Sequence, residues 1–352
     1  MRIIHASDLH LGRPLRGILV HPNLDEERFR HVGERALERL VDQCIEARAA
    51  LLLIAGDLTD HWMRNYQLGL RLVRELLRLE STPTRVYWVR GNHDAENRVI
   101  RNLLLPSHVS EIGLCGVQTL TLPDLGVALT GTSFAKRCTE ENLFASFPAP
   151  IQSLIHIGLL HTSADGLHTG DSYAPCGRRE LVAKGYQYMA LGHVHEPLLL
   201  SEKVPVAYSG CLQGRHFAES GARGCRLVEI DGNRVTSMTH VPLDVVRFGK
   251  IDVDVSSSGN LGQVSEQVVA RCRATLSRLG DRALVARVCL KGRAGIEALL
   301  SCSAKLRSTE LHGAAATTSE RLSIDGFWAL PDCPNAPCLR LDDETTLKRR
   351  DF

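Results

Sequence analysis

Apolar positions along this chain fall into two spacings, short continuous runs and helical stripes, and these alternate over the first ninety or so residues. Ile3-Ile4-His5-Ala6 is the first run; a polar loop then leads into an amphipathic stripe over about 29–48. The run Leu51 to Ala55, a second stripe over 66–80 and a run at 85–90 complete a β-α-β-α-β opening. Past Leu114 the pattern changes to short apolar runs separated by Gly and Pro, at 127–131, 155–160, 187–191, 205–208, 225–230 and 235–241. Runs of that length read as strands, and they predict a second sheet packed on the first.

A boundary is expected between Val245 and Lys250. Beyond it the pattern reads as a strand at Ile251 to Val255, a turn at Ser256 to Asn260, a helix from Leu261 to Leu279, a strand from Ala283 to Lys291 and a helix from Ile296 to Leu306. That unit is too small for a catalytic core and too regular for a linker. The expected division is 1–245, 246–330 and a tail from Pro331 to Phe352 that shows no periodicity.

Composition narrows the possibilities. A length of 352 residues accommodates one large and one small domain. The formal charge of +2 sets up no global field toward nucleic acid, so any DNA contact must come from a local patch. Eleven cysteines are scattered without a C-x-x-C pair, the nearest being Cys333 and Cys338. With no signal peptide, the expectation is reduced thiols in a cytoplasmic protein. Leu103 to Leu105 is far short of the roughly 20 apolar residues of a membrane span.

Chemistry is concentrated in five blocks: Asp8-x-His10, Gly56-Asp57, Gly91-Asn92-His93-Asp94, His161 and Gly192-His193-x-His195. Each stands where an apolar run ends, so the blocks are expected to meet at one edge of a sheet. Hard oxygen and imidazole donors in such numbers suit a two-cation site of the kind that hydrolyses phosphate esters, with ions about 3.5–4 Å apart. Taken alone, Asp8 or Asp57 would read as a turn or cap residue.

This order of blocks resembles the calcineurin-like metallophosphoesterases, and more narrowly their SbcD/YhaO-like branch of DNA repair exonucleases. Leu160-His161-Thr162-Ser163, Asp171-Ser172-Tyr173-Ala174-Pro175-Cys176 and Gly214-Arg215-His216 carry the narrower likeness. The resemblance covers residues 1–245 and implies a two-sheet α/β sandwich flanked by helices, with a small C-terminal α+β capping domain that helps hold DNA. It also implies that Asp8, His10, a bridging Asp57 and His195 hold one cation, and that Asn92, His161 and His193 complete a second. His93 would be the general acid, oriented by a hydrogen bond to Asp94. Donors of these types without thiolate favour manganese or iron; manganese is the choice, and zinc or magnesium could substitute. The family also implies an SbcC-like ATPase partner and a homodimer formed through helices near the catalytic face.

Other residues carry weaker signals. Arg215, His216, His61 and Trp62 are candidate substrate contacts, with loop folding the alternative for Arg215 and His216 and a surface position the alternative for His61; Trp62 and Tyr66 either stack on a nucleotide or pack at a helix start. Arg271, Arg273, Arg278, Arg282, Arg287, Lys291 and Arg293 form either a solvated face or a phosphate-contacting one. Asp60 stands where archaeal and eukaryotic relatives have histidine, and Tyr208 to Gln213 departs from the usual loop. His5 is expected in the core; His21, His31, His108, His156, His168 and His240 are expected at the surface or in structural roles, and Cys176 and Cys211 as small buried hydrophobes. Three functions remain open: a metal-dependent DNA nuclease, exo- or endonucleolytic, a phosphodiesterase or phosphatase acting on small nucleotides or phosphoproteins, and a DNA-binding scaffold with weak hydrolysis. The complete donor set argues against the scaffold.

Overall fold

A computed structural model describes residues 1–60, 63–166, 173–330, 339–341 and 349–350. His61, Trp62, His168, Asp171, Ser172 and most of the tail, with Cys333 and Cys338, lie outside the described residues. The chain divides into two compact units. One comprises Met1–Arg13, Gly33–Gln213 and Ala222–Asp244, and the other Pro14–Val32, Gly214–Gly221 and Val245–Phe352.

The first unit contains two six-stranded sheets. One runs Arg234–Pro242, Gly224–Asp231, Arg2–Ala6, Leu51–Ala55, Arg85–Val89 and Val109–Glu111, with its last four strands parallel. The other runs Leu198–Ser201, Val206–Tyr208, Tyr188–Gly192, Ile155–His161, Val127–Thr132 and Gln118–Leu122. Alternate residues explain why the central strands are apolar throughout. Ile3, Leu51, Leu53, Ala55 and Val89 meet Leu129, Ile157, Leu159 and Ala190 in one core between the sheets. Leu52 and Ile54, on the opposite pleat, are also buried. The helix Val32–Ala47 buries Ala36, Leu37, Leu40, Val41 and Cys44, a single stripe at helical spacing. This is the expected two-sheet sandwich.

The second unit carries a sheet of Val246–Asp254, Ala283–Lys291, Leu322–Ala329 and Leu339–Arg340, its first three strands parallel. Val264, Val268, Cys272 and Leu276 of the helix Leu261–Ser277 pack on it. The single helix expected over 296–306 is two, Arg293–Leu300 and Ala304–Ala316, because Ser303 caps the second by accepting from the Leu306 amide. The strand expected from Ile251 begins at Val246. No helix among the described residues is long and apolar enough to cross a membrane.

His5 shows how the sandwich treats a polar core residue. Its Nδ1 meets Tyr188 Oη at 2.7 Å and its Nε2 donates to the Leu191 carbonyl at 3.1 Å. Burial, helped by the nearby Arg226 charge, lowers its pKa to about 3. The folded state therefore holds His5 neutral while the unfolded chain takes up a proton below about pH 6.5. The unfolded state binds more protons in that window, so stability falls with acidification, by about 2 kcal/mol from this one group between pH 7 and 5. Denaturant unfolding at the two pH values is expected to show a shallower fall for His5→Gln than for the unsubstituted chain; equal slopes would contradict this account.

Candidate metal centre

All five blocks follow the C-terminal ends of parallel strands. Asp8-x-His10, Gly56-Asp57 and Gly91 to Asp94 leave three neighbouring strands of one sheet, while His161 and Gly192 to His195 leave two neighbouring strands of the other. The backbone is bent hard to aim them. Of the eight non-glycine residues with positive φ among those described, four are Asp8, His10, Asp57 and His193. A left-handed conformation costs a residue with a Cβ roughly 1–2 kcal/mol, and such strain gathers where geometry is functional. Backbone bonds pin the turns: Asp8 N–H donates to Gly56 O and His10 N–H to Asp57 O, each at 3.0 Å. Two glycines allow the close approach. A Cβ on Gly91 would strike the Asp57 carboxylate, and one on Gly192 the Ala55 carbonyl.

The side chains converge as acceptors. His161 is fully buried, and burial lowers its pKa to about 4. Its Nδ1 lies 2.9 Å from the Ala55 carbonyl, which can only accept, so Nδ1 carries the proton and Nε2 the lone pair. Nε2 then faces Asn92 Oδ1 at 3.0 Å and Asp57 Oδ2 at 3.6 Å. His10 repeats the arrangement: Nδ1 donates to Asp60 Oδ1 at 3.2 Å, and Nε2 faces His195 Nε2 at 3.3 Å and Asp57 Oδ2 at 3.6 Å. His195 Nε2 is 3.7 Å from Asp8 Oδ1. Acceptor atoms gathered this closely suit a cation among them, and His10 and His161 each have the partner on Nδ1 that metal-binding histidines use. Asp57 Oδ2 is equidistant from His10 Nε2 and His161 Nε2, the position of a bridging ligand. Two clusters, Asp8-His10-His195 and Asp8-Asp57-His161, each bring donor atoms within 4.8 Å of one another. His193 donates its amide to the Asp8 carboxylate at 3.1–3.2 Å, and its ring meets those of His161 and Tyr173 edge-on.

Electrostatics agree with a cation-seeking site. Burial first, then the charges of Asp94 and Asp8, hold the Asp57 carboxyl well above its ordinary range. Asp60 goes the other way. Burial would raise its pKa, but hydrogen bonds from His10 and His93 and the Arg13 charge overcome this and hold it far below the usual carboxylate range.

Asp60 is the residue that sequence reading passed over. His93 Nδ1 sits 2.8 Å from Asp60 Oδ1, so Asp60, not Asp94, orients His93. Asp94 instead accepts from the amides of Leu58, Thr59 and Gly91 at 3.0–3.2 Å and ties the two loops together. The residue next to His93 along the chain is engaged by backbone amides, and the orienting carboxylate comes from the Asp57 loop. The Gly-Asp-x-x-Asp spacing was the available signal. Arg215 is buried, and its guanidinium engages Glu219 at 2.7 Å while its amide donates to the same carboxylate at 2.8 Å. The short 3-10 helix Phe217–Glu219 folds Glu219 back onto it, which favours the loop-folding role of the two expected for Arg215. His216 is half-buried, 3.7 Å from the same carboxylate, and belongs with Arg215 to the second unit. Tyr66 is exposed at the start of the helix Tyr66–Leu77. Cys176 and Cys211 are buried, Cys176 against Thr162.

A two-sheet sandwich carrying this cluster of carboxylate, amide and imidazole donors is a metal-dependent phosphoesterase. Residues 1–197 match the family of calcineurin-like phosphoesterases, more than half of the chain, and the chain belongs to that family. Among curated relatives, it is 29% identical over 272 residues to the uncharacterized metallophosphoesterase YhaO of Bacillus subtilis, covering 76% of this chain and 66% of that one. The alignment thus spans just under two thirds of YhaO. The SbcD component of the nuclease SbcCD from Staphylococcus epidermidis is 25% identical over 275 residues, covering 70% of this chain and 71% of that one. The crystal structure of a dimetal phosphatase from Danio rerio aligns with a TM-score of 0.41 at 12% identity, over 69% of this chain and 97% of the other.

Proposed function

We propose that the chain is a two-cation phosphodiesterase that cleaves DNA. The observation that carries this reading is the convergence of ligand-type nitrogen and oxygen atoms of His10, His195, Asp57, Asn92 and His161, with His93 beside them held by Asp60. Asp8, His10, Asp57 and His195 would hold one ion, and Asp57, Asn92, His161 and His193 the other. The donor types, without thiolate, select manganese over softer metals. Bound there, the ions supply Lewis acidity and positive charge to the phosphoryl group and acidify the attacking water.

The protein's own groups do the rest. Asp60 takes the Nδ1 proton of His93 in a hydrogen bond, which leaves the Nε2 side of the ring to donate a proton to the departing oxygen. His10 and His161 are fixed in single tautomers by Asp60 and the Ala55 carbonyl, so neither must reorganise when the ions arrive. Asp94 keeps the Asp57 and His93 loops in register.

DNA is assigned as substrate from the likeness to the SbcD component of the SbcCD nuclease and from the second unit, whose Arg271, Arg273, Arg278 and Arg293 are exposed. By the same likeness the second unit is a capping domain, an SbcC-like ATPase is the partner, and the site of action is the cytoplasm. Homodimerisation is assigned to the helix Tyr66–Leu77, which exposes Tyr66, Leu70 and Leu77. End-labelled single- and double-stranded DNA incubated with manganese, magnesium or chelator tests the substrate. Degradation with manganese and none with chelator is expected, and the product lengths give polarity. Intact DNA beside a hydrolysed bis-aryl phosphodiester would contradict the nuclease reading.

A further inference from the structure

Outside the metal centre, the first unit holds a cavity of about 470 Å³ whose lining includes both Cys115 and Cys138. These are the only exposed cysteines among the described residues; Cys302 is half-buried and the others are buried. Burial withholds a thiol from exchange, and these two alone among the described cysteines are accessible. Lys136, Glu140 and Glu141 line the same cavity. The cavity also adjoins the metal centre. Its wall residue Ser133 accepts the amide hydrogen bond of Arg90, which leads into Gly91-Asn92-His93, at 2.9 Å. The next residue, Phe134, packs edge-on against His161 at 5.6 Å between ring centroids. Thr139, also in the wall, accepts from the Ala174 amide at 2.6 Å, and neighbouring Tyr173 lies against His193. Phe134 and Ala174 form a small core of their own with Ala95, packed by Leu143 from the cavity wall.

The geometry points to a thiol-exchange site in this cavity, in which Cys115 and Cys138 are bridged by reaction with a low-molecular-weight disulfide. One cysteine thiolate attacks a sulfur of that disulfide, whose S–S bond breaks and releases one thiol after protonation. The second cysteine thiolate then attacks the mixed disulfide at the protein sulfur and expels the second thiol. The two cysteines are oxidised by two electrons and the small disulfide is reduced to two thiols. A bridge would hold the two Cα atoms within about 7 Å of each other and so tether the 113–116 turn to the 136–139 segment, part of the wall behind His161 and His193.

The test exposes the full chain to excess glutathione disulfide, blocks remaining thiols with N-ethylmaleimide and maps the peptides. A Cys115–Cys138 cross-link is expected, reversed by dithiothreitol and absent in Cys115→Ser, with Cys44, Cys176, Cys211, Cys225, Cys272 and Cys289 left reduced. Lasting glutathione adducts on both residues, a bridge to another cysteine or no reaction overturns it. This map does not depend on the proposed activity. Manganese affinity of the bridged and reduced forms, read by paramagnetic resonance of the free ion, is expected to differ about tenfold, the lower end of what changes behind a ligand cost. A reduced chain that binds no manganese overturns the metal-centre reading and leaves the thiol pair to the peptide map.

Discussion

Asp57→Asn is expected to abolish phosphodiester hydrolysis, by more than about 10³-fold, while making the metal-free protein more stable. Both effects come from the same carboxylate. Two dications about 4 Å apart repel by on the order of 17 kcal/mol at an effective dielectric of 20, and a shared anion is what offsets this. Asn keeps the shape and removes the charge, so the pair of ions cannot be held. In the metal-free protein that charge is a burden: Asp57 is buried beside Asp94 and Asp8, which hold its carboxyl well above the ordinary range. A carboxyl with a raised folded pKa costs stability once the pH exceeds its unfolded value, so removing it raises the melting temperature of the chelated protein at pH 7. Manganese should then stabilise the original chain by mass action and leave the variant unmoved. Thermal melts of the two proteins with and without manganese read all four values. A variant destabilised without metal would mean that Asp57 serves the fold, not a cation.

His93→Ala is expected to lower turnover by about 10²–10⁴-fold with both cations still bound, because the side chain moves a proton and holds no ion. Asp60→Asn should give a smaller loss in turnover with little change in KM, since it orients His93 Nδ1 from 2.8 Å without touching substrate, and should also weaken metal retention because the same carboxylate holds His10 Nδ1 at 3.2 Å. Turnover and metal content measured on the same samples separate these roles. Loss of metal from His93→Ala would move His93 into the ligand set, and an Asp94→Asn variant with the Asp60→Asn phenotype would return the orienting role to Asp94.

That exchange between Asp94 and Asp60 marks where sequence reading stops. Periodicity located the five strands whose C-terminal ends carry Asp8, Asp57, Asn92, His161 and His193, because buried parallel strands are apolar on both faces and end abruptly in polar loops. It also placed the main helices, although Ser303 divides one of them through a local capping bond that apolar spacing does not register. What it could not see were contacts between loops. His93 and Asp94 are adjacent along the chain, yet Asp94 binds the amides of Leu58, Thr59 and Gly91, and the partner of His93 comes from the Asp57 loop. Arg215 reads from its loop after the metal-binding His pair as either a substrate contact or a loop-folding residue, and only the short 3-10 helix Phe217–Glu219 reveals its pairing with Glu219. The strand Ile18–Leu19 has two residues and no period to read.

The most direct test of the account is hydrolysis of a bis-aryl phosphodiester by the purified chain before chelation, after chelation and after manganese is returned. Activity that disappears with chelator and is restored by manganese is the predicted result. Hydrolysis that survives removal of the metal would contradict the two-cation site at its centre.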